Sequence, residues 1–215
     1  GVWVMKKLFY SLLLILTINV FSFSQGLGIG IGPSFWANND VTLSNFNLIN
    51  KDLKPGFNLN LRIKFDNDFI TYTINGGWNK FTISEVSITD PKTNDVYDLS
   101  LSQNIFPISP GIQLNLIRLN PLKIYIAGDI SLNIIKSSID VKRKISSQNI
   151  PIPVIFGDET EYRGGLAPGL GVELGLGVLT LDVNAKLHYM NLFNKKDGET
   201  TTSFLMTNVS VFFGK

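Results

Sequence analysis

Between Gly56 and Phe65 the chain reads Gly-Phe-Asn-Leu-Asn-Leu-Arg-Ile-Lys-Phe. Phe57, Leu59, Leu61, Ile63 and Phe65 alternate without a break with Asn58, Asn60, Arg62 and Lys64. A helix would scatter these apolar residues around its circumference, whereas the period-2 pleat of a strand gathers them on one face. The pattern recurs. Leu27, Ile29, Ile31 and Phe35 alternate with glycines 28, 30 and 32, and Ile70, Tyr72, Ile74 and Trp78 with Thr71, Thr73 and Asn75. Ile108, Ile112, Leu114 and Leu116 alternate with Gln113 and Asn115, and Ile124, Ile126, Ile130, Leu132 and Ile134 with Tyr125, Asp129, Ser131 and Asn133. Leu166 to Leu176 and Leu181 to Tyr189 repeat it, and Leu205, Val209, Val211 and Phe213 share one face of a last strand over Ser203–Phe213.

The pattern predicts about eight strands of roughly 9–12 residues, the length of a tilted transmembrane β-strand. Connections at 66–68, 119–122 and 177–179 are short, while those at 37–54, 79–104, 136–165 and 191–202 are long and polar. Short and long alternate strictly, so in an up-and-down barrel all long loops lie at one end and all turns at the other. Trp36, Trp78 and Tyr189 fall where strands reach the loop end, and Phe65, Phe69, Phe212 and Phe213 where they reach the turn end. Two aromatic girdles at the two lipid interfaces are expected from this placement.

Upstream, Met5, Lys6 and Lys7 form a positive n-region, Leu8 to Phe21 an apolar h-region, and Ser22-Phe23-Ser24 a small-residue cleavage site. The expected division is a signal peptide over 1–24, of which residues 1–4 precede the Met5 start, and a barrel domain over 25–215. The apolar run is short of the roughly 20 residues that a membrane helix needs. No Cys is present among the 215 residues, which excludes disulfides, thiol chemistry and lipoprotein attachment. Net charge is +2, and without Lys6 and Lys7 basic and acidic side chains balance, so there is no basic footprint for nucleic acid.

These features resemble the small outer-membrane β-barrel family of Gram-negative bacteria, with its OmpX-like and OmpW-like members and the barrel of OmpA. The resemblance covers Gln25 to Lys215. It rests on the signal peptide, the alternating strands, the Ile-Tyr-Ile-Ala-Gly-Asp stretch from Ile124 to Asp129, and the terminal Phe212-Phe213-Gly214-Lys215. It implies an all-β, eight-stranded antiparallel transmembrane barrel, exported by a Sec-type route to the periplasm and inserted by the barrel-assembly machinery. The outer membrane, with its lipids and lipopolysaccharide, is the implied residence. Members differ in role, so the family supplies no function by itself.

The inward face is where chemistry could sit, because lipid excludes charge from the other. It is expected to carry Arg62, Lys64, Asp129, Glu173, Asp182, Lys186 and His188. An eight-stranded barrel is just wide enough for its side chains to fill, so these charges should pair and plug the lumen. Glu173 and Lys186 are within diagonal reach if the turn between their strands centres near Val178. Glycines alternating along one face are expected to relieve crowding, since the strand, turn and helix of a phosphate cradle are absent.

Some outer-membrane barrels modify lipid A, and His188 is the sole imidazole that could act as a base; the His-x-Ser pairing of the deacylases is missing. No catalytic residue, cofactor or metal site is expected. Asp158, Glu159 and Glu161 lack the spacing of a calcium loop and read as a solvated loop, while Lys142, Arg143 and Lys144 suit lipopolysaccharide phosphates.

A structural or interaction protein with long extracellular loops, their partner unnamed by the sequence, is the leading reading. The alternatives are a narrow porin-like passage for small or apolar solutes, a secreted lipocalin-like binding barrel with reversed faces, and a lipid A modifying enzyme.

Overall fold

The computed structural model describes residues 24–37, 40–43, 46–49, 54–67, 69–89, 96–145, 148–195 and 199–214. Apart from Ser24, the expected signal peptide lies outside the described residues. Ten strands follow in order: β1 (Ser24–Trp36), β2 (Asp40–Leu43), β3 (Phe46–Ile49), β4 (Gly56–Asn67), β5 (Ile70–Thr89), β6 (Val96–Leu119), β7 (Leu122–Ile145), β8 (Gln148–Leu176), β9 (Leu179–Phe193) and β10 (Ser203–Phe213). Eight of them close a barrel in the order β1-β10-β9-β8-β7-β6-β5-β4, with β4 paired back to β1, and β2–β3 form a small hairpin between β1 and β4. Every pairing in the barrel is antiparallel.

The pleat decides which solvent each side chain meets. Phe57 and Leu61 are 48% and 51% exposed on the outer wall, whereas Arg62, on the opposite face of the same strand, is 2% exposed. The same division holds around the circumference, with Ile29, Ile74, Ile112, Ile130, Leu170, Val183 and Val209 outside and Asn60, Thr73, Gln113, Asp129, Glu173, Asn184 and Asn208 inside. An apolar belt wrapping the whole barrel marks a surface made for lipid, and a polar interior is the reverse of a lipocalin-like cavity. The reading as a secreted lipocalin-like barrel is therefore corrected.

The long connections expected at 79–104 and 136–165 are corrected too. β5 and β6 stay paired up to Thr89↔Val96, and β7 and β8 up to Ile145↔Gln148. The period-2 alternation runs on into these stretches, with Tyr97, Leu99 and Leu101 against Asp98, Ser100 and Ser102, and Ile139 and Val141 against Asp140 and Lys142, and the ladder continues with it. Four strands thus rise past the rest of the barrel. Among the described residues, β5 has no β4 partner beyond Lys80 and β8 no β9 partner before Gly164.

A proline and a bulge leave gaps in the wall that lumen amides cover. Proline has no N–H to give to a ladder. At Pro33 the β1–β10 pairing skips from Ile31↔Val209 to Ser34↔Met206, and there Asn58 Nδ2 donates to Pro33 O at 3.0 Å and to Thr207 O at 3.1 Å. At the β8–β9 bulge, Asn133 Nδ2 donates to Met190 O at 2.8 Å.

Inward glycines make room for large groups from neighbouring strands. A Cβ on Gly28 would stand 2.4 Å from the Phe212 ring, and one on Gly171 would stand 2.4 Å from the Tyr125 hydroxyl. Gly177, with φ of 79°, turns β8 into β9, a conformation that glycine adopts without steric cost. Gly28→Val should therefore destabilise the refolded barrel by about 1–3 kcal/mol, as overpacking does. Adding Phe212→Ala should recover part of that loss in urea unfolding from lipid vesicles; an unchanged midpoint in the single variant would refute the contact.

Candidate functional site

The lumen brings many charged groups of the described residues together, and the set in its middle is electrically balanced. Arg62 and Lys64 on β4 and Lys186 on β9 face Asp129 on β7, Glu173 on β8 and Asp182 on β9, all nearly inaccessible. Lys64 Nζ donates to Glu173 Oε1 at 2.5 Å and to Asp182 Oδ2 at 2.6 Å, reaching across the barrel from β4. Arg62 Nη1 lies 3.5 Å from Asp182, and its Nε donates to Asn75 Oδ1 at 2.7 Å. Lys186 donates to Asp129 Oδ2, to which Asn75 Nδ2 also donates at 3.2 Å. The expected Glu173–Lys186 proximity is corrected. Glu173 stands opposite Asp182 in the ladder and Lys186 opposite Gly169, so the two are separated along the strands and each takes a partner elsewhere.

Neutral groups complete the network. Tyr125 OH donates to Asp182 Oδ2 at 2.9 Å, Asn184 Nδ2 to Asp182 Oδ1 at 2.5 Å, and Gln113 Nε2 to Glu173 Oε1 at 2.7 Å. Tyr125 shares the parity of Asp129 on β7, and Asn184 that of Asp182 on β9, which is the signal that would have drawn them into the site. Towards the turn end Lys123 Nζ donates to Asp66 Oδ2 at 2.7 Å, beside a recess of about 400 Å³ that Lys64, Asp66, Lys123 and Glu173 line. Deeper in, a void of about 10 Å³ lies between Asn60, Arg62, Asp129, Lys186 and His188, about enough for one water.

The loop end of the lumen carries a second, apolar layer absent from the sequence-based expectation. Phe81, Ile105, Ile135, Met190, Phe204 and Met206 are buried together, with Trp36 packed against them. The Trp36 and Phe81 rings are 4.1 Å apart, and His188 stacks on Phe204 at 4.7 Å and 5°. Trp36 is therefore an interior residue and not part of a lipid-facing girdle. Phe212 is corrected likewise: it is 3% exposed, with Lys64 Nζ 4.0 Å from its ring centroid. Both share the parity of inward residues, Ser34 and Ser210, and the pleat outweighs the preference of aromatics for an interface. Phe69 and Phe213 are exposed, Phe65, Trp78 and Tyr189 half-buried, and all three of the latter lie on strand positions in phase with the outer face. Trp78 Nε1 donates to Asn104 Oδ1 at 3.0 Å.

His188 is buried, and neither ring nitrogen has a hydrogen-bond partner among the described residues. No group of three His, Asp or Glu side chains that could hold a metal ion occurs among them. In the outer segments, Lys142, Arg143 and Lys144 lie on β7 and Asp158, Glu159 and Glu161 on β8, not in a loop. Arg163 Nη2 pairs with Glu161 at 3.2 Å and with Glu199 at 3.4 Å, tying β8 to the segment before β10.

Comparison with known proteins finds the architecture and not the sequence. No family model matches the chain. No curated protein matches it either. Among solved structures, neisserial surface protein A (NspA) is similar with a TM-score of 0.55 and 12% identity, over 89% of this chain and 97% of that one. Ail, the attachment invasion locus protein of Yersinia pestis, gives 0.47 and 11% over 90% and 99%. A major outer membrane protein from Thermus thermophilus gives 0.47 and 12% over 89% and 99%. At such identities the likeness shows the fold alone: the chain has the fold of the small eight-stranded outer-membrane β-barrels.

Burial makes the interior pairs unequal to those at the mouth. Asp182→Ala would leave Lys64 with one carboxylate and Arg62 with none at this distance, and a broken buried pair costs about 3–5 kcal/mol. Asp66→Ala, at a site about one-third exposed, should cost no more than about 1 kcal/mol. Equal urea midpoints for the two variants would contradict this ranking.

Proposed function

We propose that this chain is an outer-membrane anchor whose barrel fixes an ordered extracellular structure in place, with the lumen closed to solutes. The observation that carries the reading is the filling of the lumen. A balanced ionic network occupies its middle, and the apolar layer around Phe81 and Phe204 lies over it. The recess of about 400 Å³ is confined to the turn end, and the void deeper in, between Asn60, Arg62 and His188, is of single-water size, which gives a hydrated ion no route past them. Strands β5 to β8, standing beyond the other four, are then the part presented to the environment, with lipopolysaccharide and surface partners as the expected contacts.

An enzymatic role draws no support from His188. A base needs a nucleophile or orienting group within hydrogen-bond reach, and this imidazole has neither among the described residues. Residence in the bacterial outer membrane is supported by the lipid-facing belt and by the kind of protein that shares the fold.

Planar-bilayer recording of the full refolded barrel tests the closed lumen. The expected result is a baseline current without resolved steps. Steady ohmic conductance from the intact chain would overturn the anchor reading in favour of a passage.

A further inference from the structure

The belt of large aliphatic side chains on the outer wall is interrupted at Gly128. Its position is in phase with outward Ile126 and Ile130, and a Cβ added there would meet nothing within 4 Å. The gap opens into a groove of about 380 Å³ on the outer wall, bounded by Ile130 of β7, Leu166 and Pro168 of β8, and Tyr189 and Leu192 of β9. Pro168 is directly opposite Gly128 in the ladder. On its other side the β8–β9 pairing skips from Leu166↔Tyr189 to Gly169↔Lys186, so the groove runs along a seam where two strands are less tightly joined.

We propose that this groove seats one acyl chain of an anionic lipid of the outer leaflet, and that Lys136 holds the phosphate of its head group. Two observations support that occupant. The groove is continuous with the lipid-facing belt, so hydrocarbon is the material that surrounds it. Above it, β7 runs through outward Leu132 and Ile134 to Lys136, an exposed cation whose ammonium lies 5.9 Å from the Phe106 ring. From Ile130 to Lys136 is roughly 20 Å of strand, comparable with a fatty acyl chain.

Transfer from water contributes nothing inside a bilayer, so selectivity must come from shape and charge. A chain lying in the groove gains dispersion contacts from three strands at once, where one on a convex wall gains them from one side. The proposal rests on the reading of the barrel as membrane-embedded.

The test uses the full barrel refolded into dimyristoyl phosphatidylglycerol vesicles, with heat-shifted gel mobility as the check of folding. It is then extracted into mild detergent for native mass spectrometry. The wild type should retain one lipid. Gly128→Phe, which fills the groove from an open position, should lower that occupancy by about tenfold. Gly76→Phe, at an equally open outward glycine on β5, should leave it unchanged. Lys136→Gln should weaken retention of phosphatidylglycerol but not of an uncharged diacylglycerol. Wild type without bound lipid, or equal retention in the two glycine variants, overturns the groove. A chain that stays soluble without lipid or detergent overturns the membrane reading itself, and the groove with it.

Discussion

Hydrocarbon offers no hydrogen bonds, and that one constraint governs the construction of this wall. Every main-chain N–H and C=O at membrane depth must be answered from within the protein, and pairing β1 with both β10 and β4 removes the free edges of an open sheet. Pro33 and Pro168 break the ladder inside the belt. The interior responds where it can: Asn58 gives its amide to Pro33 O and Thr207 O, and Asn133 to Met190 O at the nearby bulge. Part of the polar interior thus belongs to the wall as much as to the lumen.

The charged groups in the middle of the lumen answer to one another. Three cations and three anions with little access to water are tolerable only in mutual contact, and Asp182 concentrates that requirement by accepting from Arg62, Lys64, Tyr125 and Asn184. Space is allotted residue by residue. The glycines at 28 and 171 stand where the Phe212 ring and the Tyr125 hydroxyl come closest. Charge and volume are therefore matched across strands far apart in sequence.

How much of this was legible beforehand follows from what a single strand can encode. Alternation located all eight barrel strands and their two faces, and the last of them, Ser203–Phe213, has the same bounds in the structure. Alternation says nothing of stagger between strands, and stagger decided that Lys64 meets Glu173 across the lumen while Lys186 meets Asp129. Phe81 and Ile105, inward near the loop end, escape alternation because they lie within and at the edge of the stretch 79–104, which reads as a polar connection. The raised strands keep the alternation, as Tyr97, Leu99 and Leu101 against Asp98, Ser100 and Ser102 show, but polar runs such as Asp90 to Asp95 and Lys142 to Lys144 make the stretches around them read as loops.

Those raised strands carry a consequence for how the exterior can vary. Independent loops can lengthen or shorten one at a time, but β6 and β7 are each laddered on both sides, and a residue inserted into either must be absorbed by its neighbours as a bulge. Change in length is accommodated most simply at the hairpin ends, between Thr89 and Val96 and between Ile145 and Gln148. Variation on this side of the molecule is thereby channelled into two short stretches and into side chains displayed on a fixed frame, so that the surface can alter its chemistry while keeping its shape.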